Sequence, residues 1–193
     1  MWIMNLVWPL VALSGGPLAV WLYRRVNAYE HGNAPFGLMT ASATCHCGAG
    51  CTLGDLIAET AAFAAPGILV WFGLGGLFGE KIFAAWVLDF VLAFLLGILF
   101  QYFTIAPMRK LGLAAGLIAA LKADTLSLTA WQLGMYGVMA IGQFGLAQPL
   151  LGAPLDVGRP EFWFLMQIAM LAGFAASYPV NWGLLKTGLK EKM

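Results

Sequence analysis

The chain has 193 residues, of which 61% are hydrophobic and only 10% charged, with a mean hydropathy of +0.83. A soluble domain carries about 25% charged residues, so this composition excludes one of ordinary kind, and lipid must cover the outside. At ~20 residues per crossing the length holds five or six spans and no separate soluble domain. A net charge of +1 and a pI near 7.7 give a polyanion nothing to bind, and no nucleic-acid partner is expected.

The first apolar stretch, Trp2 to Tyr23, is interrupted by Pro9 and by Ser14-Gly15-Gly16-Pro17. It is expected to span with a kink where proline removes a backbone donor. No Lys or Arg precedes it and Arg24-Arg25 follow it, the reverse of a cleaved secretory signal. Residues 24–52 form a polar segment that holds both histidines and all three cysteines, and they read as a loop. The second span runs from Leu53 to Gly79 and ends at Glu80-Lys81; the third runs from Ile82 to Met108 and ends at Arg109-Lys110. Leu111 to Leu121 reads as an interfacial stretch before a fourth span, Ala123 to Gln148. Gly152 to Pro160 is turn chemistry. The fifth span, Phe162 to Leu185, leads into a tail carrying Lys186, Lys190 and Lys192.

The expected fold is therefore all-α: a polytopic transmembrane helical bundle of five spans, in one membrane domain. Placing the C-terminus inside puts Arg24, Arg25, Arg109, Lys110, Lys122 and the tail lysines on the cytoplasmic side and leaves only Lys81 and Arg159 outside. The N-terminus is then outside. The segment 24–52 faces the cytoplasm, where thiols stay reduced.

That segment carries the densest chemistry, Thr44-Cys45-His46-Cys47-Gly48-Ala49-Gly50-Cys51-Thr52-Leu53-Gly54-Asp55, with Glu59 one turn on. Gly48 and Gly50 permit a tight turn that folds thiols toward one point. If helix starts near Cys51, then Cys51, Asp55 and Glu59 share a face. Thiolates with an imidazole suit Cu(I) or Zn(II), and carboxylates add harder ligands or accept protons. The expected metal ligands are His46, Cys47, Cys51, Asp55, Glu59 and Asp124. The competing reading is a turn of small residues whose cysteines only pack. His31, beside Glu30, reads as a loop or headgroup contact.

Carboxylates inside the hydrocarbon are costly and face the bundle interior. Asp55 and Asp124 have a second explanation as N-terminal caps; Glu59 and Asp89 lie too far into their helices for that. Gln132, Met135, Tyr136, Met139 and Gln143 recur at helical spacing in the fourth span, and Gln167, Met170, Phe174, Ser177 and Asn181 in the fifth. Met thioethers bind Cu(I), although gap-filling and helix–helix hydrogen bonding explain these stripes more simply. Asp55 with Thr60-Ala61 and Asp124 with Thr129-Ala130 repeat one spacing, but matches this short arise readily by chance.

The segments His46 to Asp55, Phe100 to Tyr102 through Ala106 to Arg109, Lys122 to Leu128, and Ser177 to Trp182 resemble a family of bacterial multi-spanning proteins catalogued as a domain of unknown function. The resemblance implies a helical bundle of the bacterial inner membrane and names no activity or substrate.

The leading expectation is a membrane protein that binds and transports a soft metal ion through a cytoplasmic-side site. The rival is a non-catalytic structural or assembly subunit of a membrane complex; under either reading Gly75 and Gly79 are spaced as a close-approach motif for a helix–helix contact. An enzyme is not favoured: His46 and a neighbouring thiol supply an acyl-transfer pair, but no oxyanion-hole signature accompanies them. Two histidines outside the spans do not clamp a haem. The expected partners are the bilayer, the metal ion, and a second copy or other membrane subunits.

Overall fold

The computed structural model describes residues 3–29 and 33–191. His31 and Lys192, both singled out above, lie outside the described residues. Helix α1 (Met4–Asn27) breaks at Gly16, whose φ of 50° and ψ of −131° suit glycine alone. The next residue, Pro17, has no N–H for the Leu13 carbonyl one turn back. Gln167, near the far end of the chain, supplies the missing donor, its Nε2 lying 3.1 Å from that oxygen. The expected kink is thus also a contact across the bundle.

Helix α2 (Phe36–Ala64) starts directly after Pro35 and contains the entire Cys/His segment. This corrects the reading of residues 36–52 as part of a loop and of Leu53 as the start of the second helix. The physical reason is the solvent. In hydrocarbon each N–H and C=O needs an internal partner, so glycines that would open a turn in water stay helical. Here they also let a neighbour approach. A Cβ on Gly50 would lie 2.6 Å from the Gly97 Cα, and one on Gly54 would lie 2.5 Å from the Ala93 backbone. Both partners belong to helix α3 (Lys81–Arg109), so two pairs of small residues four apart face each other and bring the backbones together. The predicted Gly75 and Gly79 motif does not do this: both lie in the turn before α3, and a Cβ on either would meet nothing within 4 Å.

After α2 the chain bends by 116° into a 3-10 helix, Pro66–Phe72. Helix α4 (Leu113–Ala140) continues through a π-helical stretch, Ile141–Ala147, into the short α5 (Gln148–Leu151). The presumed interfacial stretch Leu111 to Leu121 therefore mostly forms the first turns of α4. Gln143 in the π stretch pins the following loop, donating to the Leu155 carbonyl at 3.0 Å and accepting from its N–H at 2.8 Å. Helix α6 (Pro160–Lys186) completes the bundle. α1, α3, the combined Leu113–Leu151 helix and α6 are each long and apolar enough to cross a membrane, and α2 with its bent continuation is apolar enough to count as a fifth when the two are taken as one broken span.

The long helices alternate in direction. The C-terminal ends of α1, α3 and α6 share a face with the start of α2, and that face collects Arg24, Arg25, Arg109, Lys110 and Lys186. The opposite face carries Glu80, Lys81, Asp156, Arg159 and Glu161. The α2–α3 and α4–α6 pairs pack most closely, α3 also packs on α4, and α1 lies against α2. Trp131 of α4 wedges between Gly48 of α2 and Gly173 of α6, where a Cβ on either glycine would strike its indole.

Candidate functional site

Cys47, Cys51, Asp55 and Glu59 follow one another at four-residue intervals on α2, all nearly or fully buried. At 1.5 Å per residue they extend over about 18 Å of the helix axis. The interior of the bundle is thus lined by a file of ionisable groups, and each stage meets a partner on another helix or stands unpartnered.

At the basic face the file begins with an ion pair. Lys190 Nζ lies 2.7 Å from Asp124 Oδ1, and both side chains are 0% exposed. The same ammonium donates to Asn181 Oδ1 at 2.8 Å and lies 3.5 Å from Ser127 Oγ. Ser127 donates to Asp124 Oδ1 at 2.7 Å, Asn181 donates to Ser177 Oγ at 2.9 Å, and Ser177 donates to the Ser127 carbonyl at 2.8 Å. The turn after α6 delivers the lysine. Gly188, at φ 72°, takes the left-handed conformation, and the N–H groups of Leu189 and Lys190 bond back to the Leu184 carbonyl. The chain thereby reverses into the bundle, and Glu191 pairs with Arg109 at the end of α3.

One step deeper, Ser127 Oγ is 3.6 Å from Cys47 Sγ, and Cys51, one helical turn on, is within electrostatic reach of Cys47. His46, on the adjacent face of α2, meets Thr104 Oγ1 through Nε2 at 3.2 Å, while its Nδ1 has no partner. Asp124 and Lys190 are within electrostatic reach of that ring. Deeper again, Gln132 Nε2 donates to Asp55 Oδ1 at 3.0 Å, leaving Asp55 Oδ2 unpartnered. Asp89 of α3 is fully buried with neither oxygen hydrogen-bonded, within electrostatic reach of Asp55 and Glu59. Glu59 borders a cavity of about 110 Å³ at the opposite face, shared with Glu80, Lys81, Gln143 and Asp156.

The six expected ligands are therefore aligned along the bundle and not gathered at one point. Among the described residues no three of His, Cys, Asp and Glu form a group that could hold a metal ion. Asp124 stands level with Cys47 and is claimed by Lys190; Asp55 is level with Gln132, further along. Neither aspartate is an N-terminal cap, since both sit in helix interiors. Cys45 points away from the file, into the α1 side of α2. His46 lies within a span, contrary to the placement that set haem aside.

Sequence reasoning missed Lys190 as an interior residue and treated it as one of several tail lysines. Its only signal is Gly188, two residues earlier, which can turn the chain back after a helix. It also missed Thr104, Ser127 and Gln101, the last fully buried with neither amide atom partnered.

A family model described as a domain of unknown function, DUF4396, matches residues 38–190. The chain belongs to the DUF4396 family. The match runs from the third residue of α2 to Lys190, so every residue of the file, the inward-turned lysine included, lies in the family domain, while α1 lies outside it. No curated protein and no solved structure matches the chain.

Proposed function

We propose that this DUF4396 protein is a cation carrier of the bacterial inner membrane, with its N-terminus outside and its C-terminus in the cytoplasm. Its cargo is a soft metal ion, Cu(I) or Zn(II). The observation that carries the reading is the continuity of the buried file, from Asp124 at the basic face through Cys47, Cys51, Asp55 and Asp89 to Glu59 at the opposite mouth. A membrane bundle gains nothing in packing from burying unpartnered carboxylates, and such residues mark ion routes. The crowding of Arg24, Arg25, Arg109, Lys110 and Lys186 on one face supports the orientation.

In this mechanism the ion passes between successive pairs of donors, so no closed three-ligand site is required. Strings of weak sites let an ion enter and also leave. The Cys47–Cys51 pair offers two soft donors one helical turn apart and gives the file its preference among cations. Lys190 acts as a tethered cation on Asp124. It balances the carboxylate while the file is empty, and an incoming cation must displace it to enter from the cytoplasm.

The test is flux into proteoliposomes that enclose a metal-sensitive dye, with Cu(I) supplied under reducing conditions and Zn(II) in a parallel series. The wild-type chain should load the vesicles, and replacing both Cys47 and Cys51 by Ser should bring uptake close to that of empty vesicles. Asp89→Asn should slow it. Uptake by the wild-type chain no faster than by protein-free vesicles, for both ions, would remove the proposal. In that case the polar interior serves assembly, as in a structural subunit.

A further inference from the structure

Two cavities meet beside the break in α1. One, of about 520 Å³, lies between α1, α2 and α6 and is walled by Leu18, Trp21, Ala41, Cys45, Trp131 and Phe174. The other, of about 240 Å³, is bordered by Thr52, Asp55, Trp163 and Gln167. Ser14 and Met170 line both. They therefore lie end to end, beside the residues where α1 loses its helical backbone at Gly16. Broken helices beside a mid-bundle cavity are how membrane carriers build substrate sites.

The walls specify a ligand. The larger cavity is apolar and aromatic, with Trp21 and Leu18 at its outer rim more than half exposed. Trp131, 2% exposed, presents an indole N–H with no acceptor. The smaller cavity ends on Asp55, 1% exposed, whose Oδ2 has no donor. The groups around that carboxylate are Gln132, the carboxylates Glu59 and Asp89, and the thiol of Cys51. Among the described residues Asp55 forms no ion pair. An apolar body fits the first cavity and a positive charge fits the second, and the aromatic rings of Trp21, Trp131 and Phe174 in the first and Trp163 in the second favour a cation.

We infer that the paired cavities are a binding site for a lipophilic organic cation, entering from the lipid side past α1 and held by its charge on Asp55. This does not rest on the metal reading, although the two routes meet at Asp55. A cation bound there and one moving along the file compete for the same carboxylate, so the inference predicts that each excludes the other.

The test is equilibrium binding of radiolabelled tetraphenylphosphonium to the full chain in detergent, with tetraphenylborate as a size-matched anion. Binding should saturate at one cation per chain and resist competition by tetraphenylborate. Asp55→Asn keeps the shape and the oxygen that accepts from Gln132, and it should weaken binding roughly tenfold or more, the scale of a close charge pair. Ala41→Phe fills the larger cavity and should abolish binding; if it does not fold, the isosteric Asp55→Asn result stands by itself. Unsaturable uptake, equal competition by the anion, or unchanged affinity in Asp55→Asn would each overturn the inference. A phospholipid that co-purifies at one per chain and is not displaced by the probe would also overturn it, because the cleft would then be a lipid groove.

Discussion

Lys190→Met is the sharpest single perturbation of the bundle. The native ammonium is 2.7 Å from Asp124 Oδ1 and 2.8 Å from Asn181 Oδ1, with no exposure on either charged side chain. At that separation the gross attraction is about 6 kcal/mol for an effective dielectric of 20. Most of it offsets the desolvation of two charges, so the pair itself contributes little net stability. Removing one partner is different, because Asp124 then remains buried without its cation. The expected loss is about 3–5 kcal/mol, the cost of an uncompensated buried charge. Asp124→Asn combined with Lys190→Met should recover most of that loss, since no net charge is left inside. The assay is reversible unfolding in mixed micelles, measured for the wild type, both single variants and the double variant. A loss under about 1 kcal/mol for Lys190→Met, the range of a surface pair, would show that the lysine does not reside in the bundle, and the gating role would fall with it.

The remaining predictions concern α2 and its neighbours. Gly50→Ala or Gly54→Ala should cost about 1–3 kcal/mol or more, because the added methyl meets the α3 backbone and not a side chain that can move aside. Gly137→Ala, with nothing within 4 Å of the new carbon, should instead stabilise by up to about 1 kcal/mol, and equal outcomes at these positions in an unfolding series would contradict the α2–α3 packing. Cys47 and Cys51 should resist a water-soluble maleimide until the protein is unfolded; rapid labelling of the native protein would restore the loop reading of this segment. Gln132→Leu leaves Asp55 without its one hydrogen bond and should destabilise by about 1–3 kcal/mol, whereas a neutral result would mean that Asp55 is solvated by other means.

Much of the architecture was legible because lipid imposes simple rules. Long apolar runs, with Arg109-Lys110 and Glu80-Lys81 at their ends, marked the limits of α3, and the Gly152 to Pro160 turn marked the start of α6. The shared face of Cys51, Asp55 and Glu59 followed from helical periodicity alone, and Cys47 extends it by one turn. The boundary that failed was the start of α2. His46, Thr40, Ser42 and Thr44 made the segment look polar and the glycines made it look bent, yet it is the most completely buried helix of the bundle. Small polar side chains are inexpensive to bury when they bond to their own helix, as Thr40 and Thr44 do with the carbonyls four residues back.

By itself the sequence determined that the protein is a helical membrane bundle and which residues share a face, because those depend on hydropathy and on the helical period. Tertiary structure alone decided the depth of the thiols and the partner of Asp124. Depth depends on how closely Gly50 and Gly54 let α3 approach, and pairing depends on a turn at Gly188 that carries Lys190 back across more than sixty residues of sequence to its carboxylate. Contacts of that range are set by three-dimensional packing, which no local pattern of residues encodes.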